Sequence, residues 1–232
     1  MKSYKQFIRE SKTDIDSICS EYGINDYTIN PDGSIDVDGS VTLLKKKLMR
    51  SSDLLTIIPL KFGKVTRDFN CYNNKLTSLE GSPKKVGGDF DCHNNKLTSL
   101  VGCPEVIGYN FYCSRNELKS LVGFPEIIGG DFYCRDNQIT DFNGVPEFFE
   151  GLFYCEGNPI EEIYRLFIKE DKDITDFSLL YGLDGLSKCI KWINEFDVIQ
   201  GNRVIMDRLV EVFYQLGMEV PENINLPSYE II

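Results

Sequence analysis

The sequence predicts an α/β repeat: a short leucine-rich repeat solenoid with a parallel β-sheet, about five 21-residue rungs and an irregular first rung. A helix and hairpin cap is expected at the N-terminus, and an α-helical cap at the C-terminus. Three observations predict this. Cysteine recurs every 21 residues, at Cys71, Cys92, Cys113, Cys134 and Cys155. Phe69, Phe90, Phe111, Phe132 and Phe153 precede these by two residues, and Asn74, Asn95, Asn116, Asn137 and Asn158 follow by three. Apolar columns complete the pattern at Leu76, Leu97, Leu118, Ile139, Ile160 and at Leu79, Leu100, Leu121, Phe142, Ile163.

Each column has a physical task. In the rung from Phe90 to Leu100, strand alternation points Phe90 and Cys92 inward and Asp91 and His93 outward. A buried Asn side chain satisfies backbone groups where the chain turns. The two leucines return and close the core. Gly81-Pro83, Gly102-Pro104, Gly123-Pro125 and Gly144-Pro146 are turn signals, with Gly allowing positive φ. The side opposite the strands is therefore expected to be irregular or short 3₁₀. The column cysteines are read as small, soft core residues. With a single histidine, His93, pointing outward and no C-x-x-C pair, neither a metal site nor any other cofactor is expected.

Bare rungs expose their interior at both ends and need caps. The sequence divides into an N-terminal cap over 1–60, the solenoid over 61–160, and an acidic helical C-terminal cap and tail over 161–232. In the first segment, a short helix including Ser17 to Tyr22 follows Asp14. A hairpin then turns about Pro31-Asp32-Gly33 between alternating runs. Ser40 to Leu43 forms the irregular first rung, 28 residues ahead of the regular ones, with Lys45, Lys46 and Lys47 in the insertion. After the last rung, Asn158 is placed as N-cap, Pro159 at N1 and Glu161 at N3 of a helix with Ile160, Ile163, Tyr164 and Phe167 on its apolar stripe. A second helix starts near Asp184, with Leu186, Ile190, Trp192 and Ile193. A third runs from Asn202 to Gly217, with Ile205, Leu209, Val212, Phe213 and Leu216, and an extended tail follows from Pro221.

Net charge is −11. Residues 161–232 hold 7 basic and 14 acidic residues, so direct nucleic-acid binding is not expected. No run of 18 apolar residues predicts a membrane span, and the first residues carry no apolar signal region.

The run LTSLEGSPKKVGGDFDCHNNKLTSLVGCPEVIGYNFYCSRNELKSL resembles the leucine-rich repeat proteins of large tailed bacteriophages. So do MKSYKQFIRES, YTINPDGSIDVDGSVTL, GNPIEEIYRLF and the closing DVIQGNRVIMDRLVEVFYQLG. The stretch KKKLMRSSDLLTIIPLKF departs from the usual first rung by its length. The resemblance implies a protein made in the cytoplasm of the infected bacterial host, with a repeat scaffold for protein interaction and no common catalytic activity. Bacterial leucine-rich repeat ubiquitin ligases share the repeat length, but they carry a large catalytic domain for which the roughly 70 residues after the last rung are too few.

The outward strand positions form a ladder, read as the concave, partner-binding face. Its candidate residues are Tyr72, Asp91, His93, Tyr112, Arg115, Tyr133, Arg135, Tyr154 and Glu156. Tyrosine and arginine are enriched where interfaces concentrate their energy. The expected function is a non-enzymatic scaffold that binds a host or phage protein through this face. One alternative is an inhibitor of a bacterial defence or nucleic-acid enzyme with an acidic, DNA-like surface. Another is a virion-associated structural protein. An enzyme is not expected, because any Cys–His or Ser–His–Asp chemistry would have to be built on His93, whose neighbour Cys92 faces the opposite side.

Overall fold

A computed structural model of the protein describes residues 14–44, 54–145, 151–167 and 184–232. Within them the chain winds as a parallel β-solenoid whose regular part, from Phe69 to Phe153, makes about four turns of 21 residues. Two ladders of very short strands run along it. The first contains β3 (Val41–Thr42), β5 (Phe69–Asn70), β7 (Phe90–Asp91), β9 (Phe111–Tyr112), β11 (Phe132–Tyr133) and β12 (Phe153–Tyr154). Every pairing is parallel and in register, so Phe69, Phe90, Phe111, Phe132 and Phe153 lie side by side. Their rings meet at centroid distances of 5.2–5.7 Å along the buried axis.

The returning stretch of each turn, such as 92–105, is irregular as expected, but a second ladder, not foreseen, follows it just ahead of each Phe strand. It contains β1 (Tyr27–Ile29), β2 (Ile35–Val37), β4 (Phe62–Val65), β6 (Lys85–Val86), β8 (Val106–Ile107) and β10 (Ile127–Ile128). Val65, Val86, Ile107 and Ile128 form a buried β-branched column that faces the core. Glycine lets successive turns approach just beyond it: a Cβ on Gly108 would lie 2.1 Å from the Gly87 carbonyl oxygen. The glycines of the predicted G-x-P turns do adopt positive φ, from 92° to 98°. Pro146 of the last turn lies outside the described residues.

Two hydrogen-bonded columns tie the turns together. Asn116 is typical of the first. Its Oδ1 accepts from Leu97 N–H at 3.0 Å, and its Nδ2 donates to the Cys92 and Cys113 carbonyls at 3.1 and 2.9 Å. The second column stands one residue before each Phe. Asp68 Oδ1 accepts from Asp89 N–H, Asp89 Oδ1 from Asn110 N–H, Asn110 Oδ1 from Asp131 N–H, and Asp131 Oδ1 from Leu152 N–H, at 2.8–3.0 Å. The column cysteines are buried. Burial pushes all five of their thiols above the ordinary value.

The N-terminal elements follow the sequence closely. Helix α1 covers 14–22 and buries Cys19 and Tyr22. The hairpin β1–β2 pairs Tyr27 with Val37, with Gly33 at φ 80° in its turn, and β2 continues the second ladder beside β4. Val41 pairs with Phe69, 28 residues on, and Leu43 fills the cysteine slot. Lys45, Lys46 and Lys47 lie outside the described residues.

The C-terminal elements need two corrections. Helix α2 (Ile160–Leu166) forms, but the Asn158 side chain does not cap it. Its Oδ1 is taken by Ile139 N–H at 3.0 Å and its Nδ2 by the Cys134 and Cys155 carbonyls, so it completes the asparagine column instead. Glu161 reaches back to Gly157 N–H at 2.8 Å. Helix α3 (Asp184–Glu195) starts as expected; the side chains of Leu186 and of Tyr164 in α2 are not among those described. Helix α4 spans Met206–Gln215 and does not begin at Asn202, because β13 (Ile199–Gln200) and β14 (Arg203–Val204) form a hairpin about Gly201. The tail is extended as expected, and it is anchored: β15 (Glu230–Ile231) pairs in parallel with β14, and Tyr229 OH donates to the Thr140 carbonyl at 2.7 Å. Among the described residues no helix is long and apolar enough to cross a membrane.

Candidate interaction face

Strand alternation puts the residues after each Phe and each Cys on the outer face of the first ladder. In-register pairing then stacks like on like. Tyr112 and Tyr133 stack at 4.7 Å with planes 16° apart, and Tyr133 and Tyr154 at 4.4 Å and 6°. The rings use their flat faces on one another, so a partner would meet ring edges and hydroxyls. Burial and the nearby Asp131 carboxylate raise the Tyr133 phenol, whose hydroxyl donates to Asp131 Oδ2 at 3.2 Å. Burial, then the Asp89 charge, raises Tyr112. Both hydroxyls therefore stay protonated.

Tyr154 corrects the expected trio of exposed rings. It is 9% exposed, with the Arg135 guanidinium 4.8 Å from its centroid and Tyr133 against its face. Tyr112 and Tyr133 are half-buried and carry the accessible part of the stack.

The charged candidates pair from one turn to the next. Arg135 grips Glu156 with Nε and a terminal nitrogen at 2.7 and 3.0 Å. Burial opposes its charge, but this carboxylate outweighs that and raises the guanidinium. Arg115 Nε lies 3.5 Å from Asp136, with both side chains largely exposed, so this pair adds little to stability.

A second cluster lies toward the N-terminus. Tyr72 stacks on His93 at 4.9 Å and 8°. His93 Nδ1 lies 2.7 Å from Asp91 Oδ1, which also accepts the His93 backbone N–H at 3.0 Å. Burial raises the Asp91 carboxyl against these bonds. The imidazole lies face to face with Tyr72 of the preceding turn, while its Nδ1 engages Asp91 of its own turn. Ser114, one turn on, accepts from Arg135 N–H at 3.1 Å. Cys92 lies beneath the sheet, fully buried. The structure thus unites Tyr72, Asp91 and His93 in one group and Tyr112, Tyr133, Tyr154, Arg135 and Glu156 in another. Arg115 stands apart with Asp136.

Asp89 and Asp131 belong to this face and were missed by sequence reasoning. Their signal was present as the Asp68, Asp89, Asn110, Asp131 column at the same 21-residue period. No three His, Cys, Asp or Glu side chains among the described residues are grouped to hold a metal ion. The chain matches no protein-family model, no curated protein and no solved structure.

Proposed function

We propose that this protein is a non-enzymatic interaction scaffold of the leucine-rich repeat kind, closed by caps at both ends and made by a large tailed bacteriophage. It acts in the cytoplasm of the infected host and holds a host or phage protein on the outer face of its phenylalanine ladder. The observation that carries this reading is the half-buried Tyr112–Tyr133 stack, with two protonated hydroxyls set beside the Arg135–Glu156 pair. Pre-stacked rings have little rotational freedom left to lose, so contact with them costs little entropy.

The test is affinity capture from infected and uninfected host lysates, with wild type beside Tyr112→Ala/Tyr133→Ala. Tyr154 is left intact because truncating a buried ring would open a cavity. A protein held by wild type and lost from the double variant is the expected outcome. Equal capture by both, with unchanged circular dichroism, would place binding elsewhere.

A further inference from the structure

Charge is graded along the solenoid. Residues 61–81 hold four basic and two acidic residues; 82–102, three and two; 103–123, two and two. The next two turns hold one and four (124–144), then one and five (145–165). The gradient surfaces on the outer side of the second ladder, away from the tyrosines. There Lys64 and Lys85 are register partners, both outward, and Ile127 stands two strands further on, 57% exposed. The bordering column runs Lys84, Glu105, Glu126, joined by backbone bonds of 2.9 Å. Among the described residues none of these five charged groups forms an ion pair. Like charges side by side on a sheet, such as Lys64 beside Lys85, are unfavourable, and no ion pair among the described residues offsets them.

We infer that this face binds a second copy of the chain, antiparallel, about a two-fold axis. A two-fold interface must be self-complementary, and a face basic at one end and acidic at the other meets that condition. Lys64, Lys84 and Lys85 of each copy then oppose Glu105 and Glu126 of the other, with lysine stems covering Ile127. Each copy carries a net charge of −11, which opposes association. At about 0.15 M salt, charges separate electrostatically beyond ~8 Å, so the facing rows dominate.

Sedimentation velocity at tens of micromolar tests this. Wild type should sediment near twice 26.5 kDa in ~0.15 M salt and dissociate at least tenfold more readily in ~1 M. Lys64→Glu/Lys84→Glu/Lys85→Glu and Glu105→Lys/Glu126→Lys should each be monomeric, and an equimolar mixture should recover the dimer. Wild type at 26.5 kDa throughout would overturn the inference. So would a mixture that stays monomeric although each variant keeps the wild-type circular dichroism. If the variants fail to fold, the wild-type salt series decides.

Discussion

Single residues hold the turns together through hydrogen bonds that no other side chain reproduces. Asn116 serves three buried backbone groups, on Leu97, Cys92 and Cys113. Leaving such groups unpaired costs about 1–3 kcal/mol each, so Asn116→Ala should lose roughly 3 kcal/mol or more in urea unfolding. A loss under ~1 kcal/mol would mean that water replaces the side chain. The residue just before it is under a different constraint. Asn73, Asn94, Arg115 and Asp136 all take φ of 53–57°, a left-handed backbone that asparagine tolerates better than arginine. The Arg115–Asp136 pair is exposed and returns little. Arg115→Asn should therefore raise stability by about 0.5–1 kcal/mol, measured in the same way.

At the level of elements, strands of two residues persist because each is one rung of a ladder. Their inward side chains face like residues, Phe on Phe in one ladder and Val or Ile in the other, and the asparagine and aspartate columns lock the register. The second ladder depends on backbone contact at its glycines. The Cβ in Gly108→Ala would meet backbone oxygen at 2.1 Å, with no flexible side chain to move away. Forcing the turns apart should cost about 1–3 kcal/mol, seen as a lower midpoint of thermal unfolding. A variant as stable as wild type would show that the turns slide freely past one another. The C-terminal elements are pinned differently, by Tyr229 on Thr140 and by the Glu162 carboxylate on Ser228 N–H and Oγ.

For the whole molecule, the buried thiols make stability depend on alkaline pH. Burial raises Cys71, Cys92, Cys113, Cys134 and Cys155 above the ordinary value of 9.0. The sign follows directly. Below pH 9 both folded and unfolded thiols are neutral, and this contribution is fully present. Above it, the unfolded chain releases protons that the folded chain keeps, so stability falls as pH rises toward the folded values. Each thiol contributes a slope of about 1.4 kcal/mol per pH unit in that window. Urea midpoints should drop steeply from pH 9 to 10, and Cys113→Ala should flatten the drop by one thiol's share. A flat profile would require the thiols to ionise within the fold.

The sequence alone determined the period, the inward Phe and Cys columns, the asparagine column, the N-terminal hairpin and the 28-residue first rung. The columns follow from identity repeated at fixed spacing, which forces equivalent residues into equivalent environments, and the hairpin from alternating runs about Pro31-Asp32-Gly33. It also placed Tyr72, Tyr112 and Tyr133 on one face, because strand alternation acts locally. Tertiary structure decided the rest. The second ladder was missed although Val65, Val86, Ile107 and Ile128 share the 21-residue period, because each pair of strand residues is hemmed between turn signals such as Pro83 and Gly87, and only stacking supplies its partners. Asn158 left its helix because the asparagine column competed for the same oxygen and won. Tyr154 became buried because its ring is covered by residues 19 and 21 positions earlier, Arg135 and Tyr133, which only the solenoid's winding brings onto it.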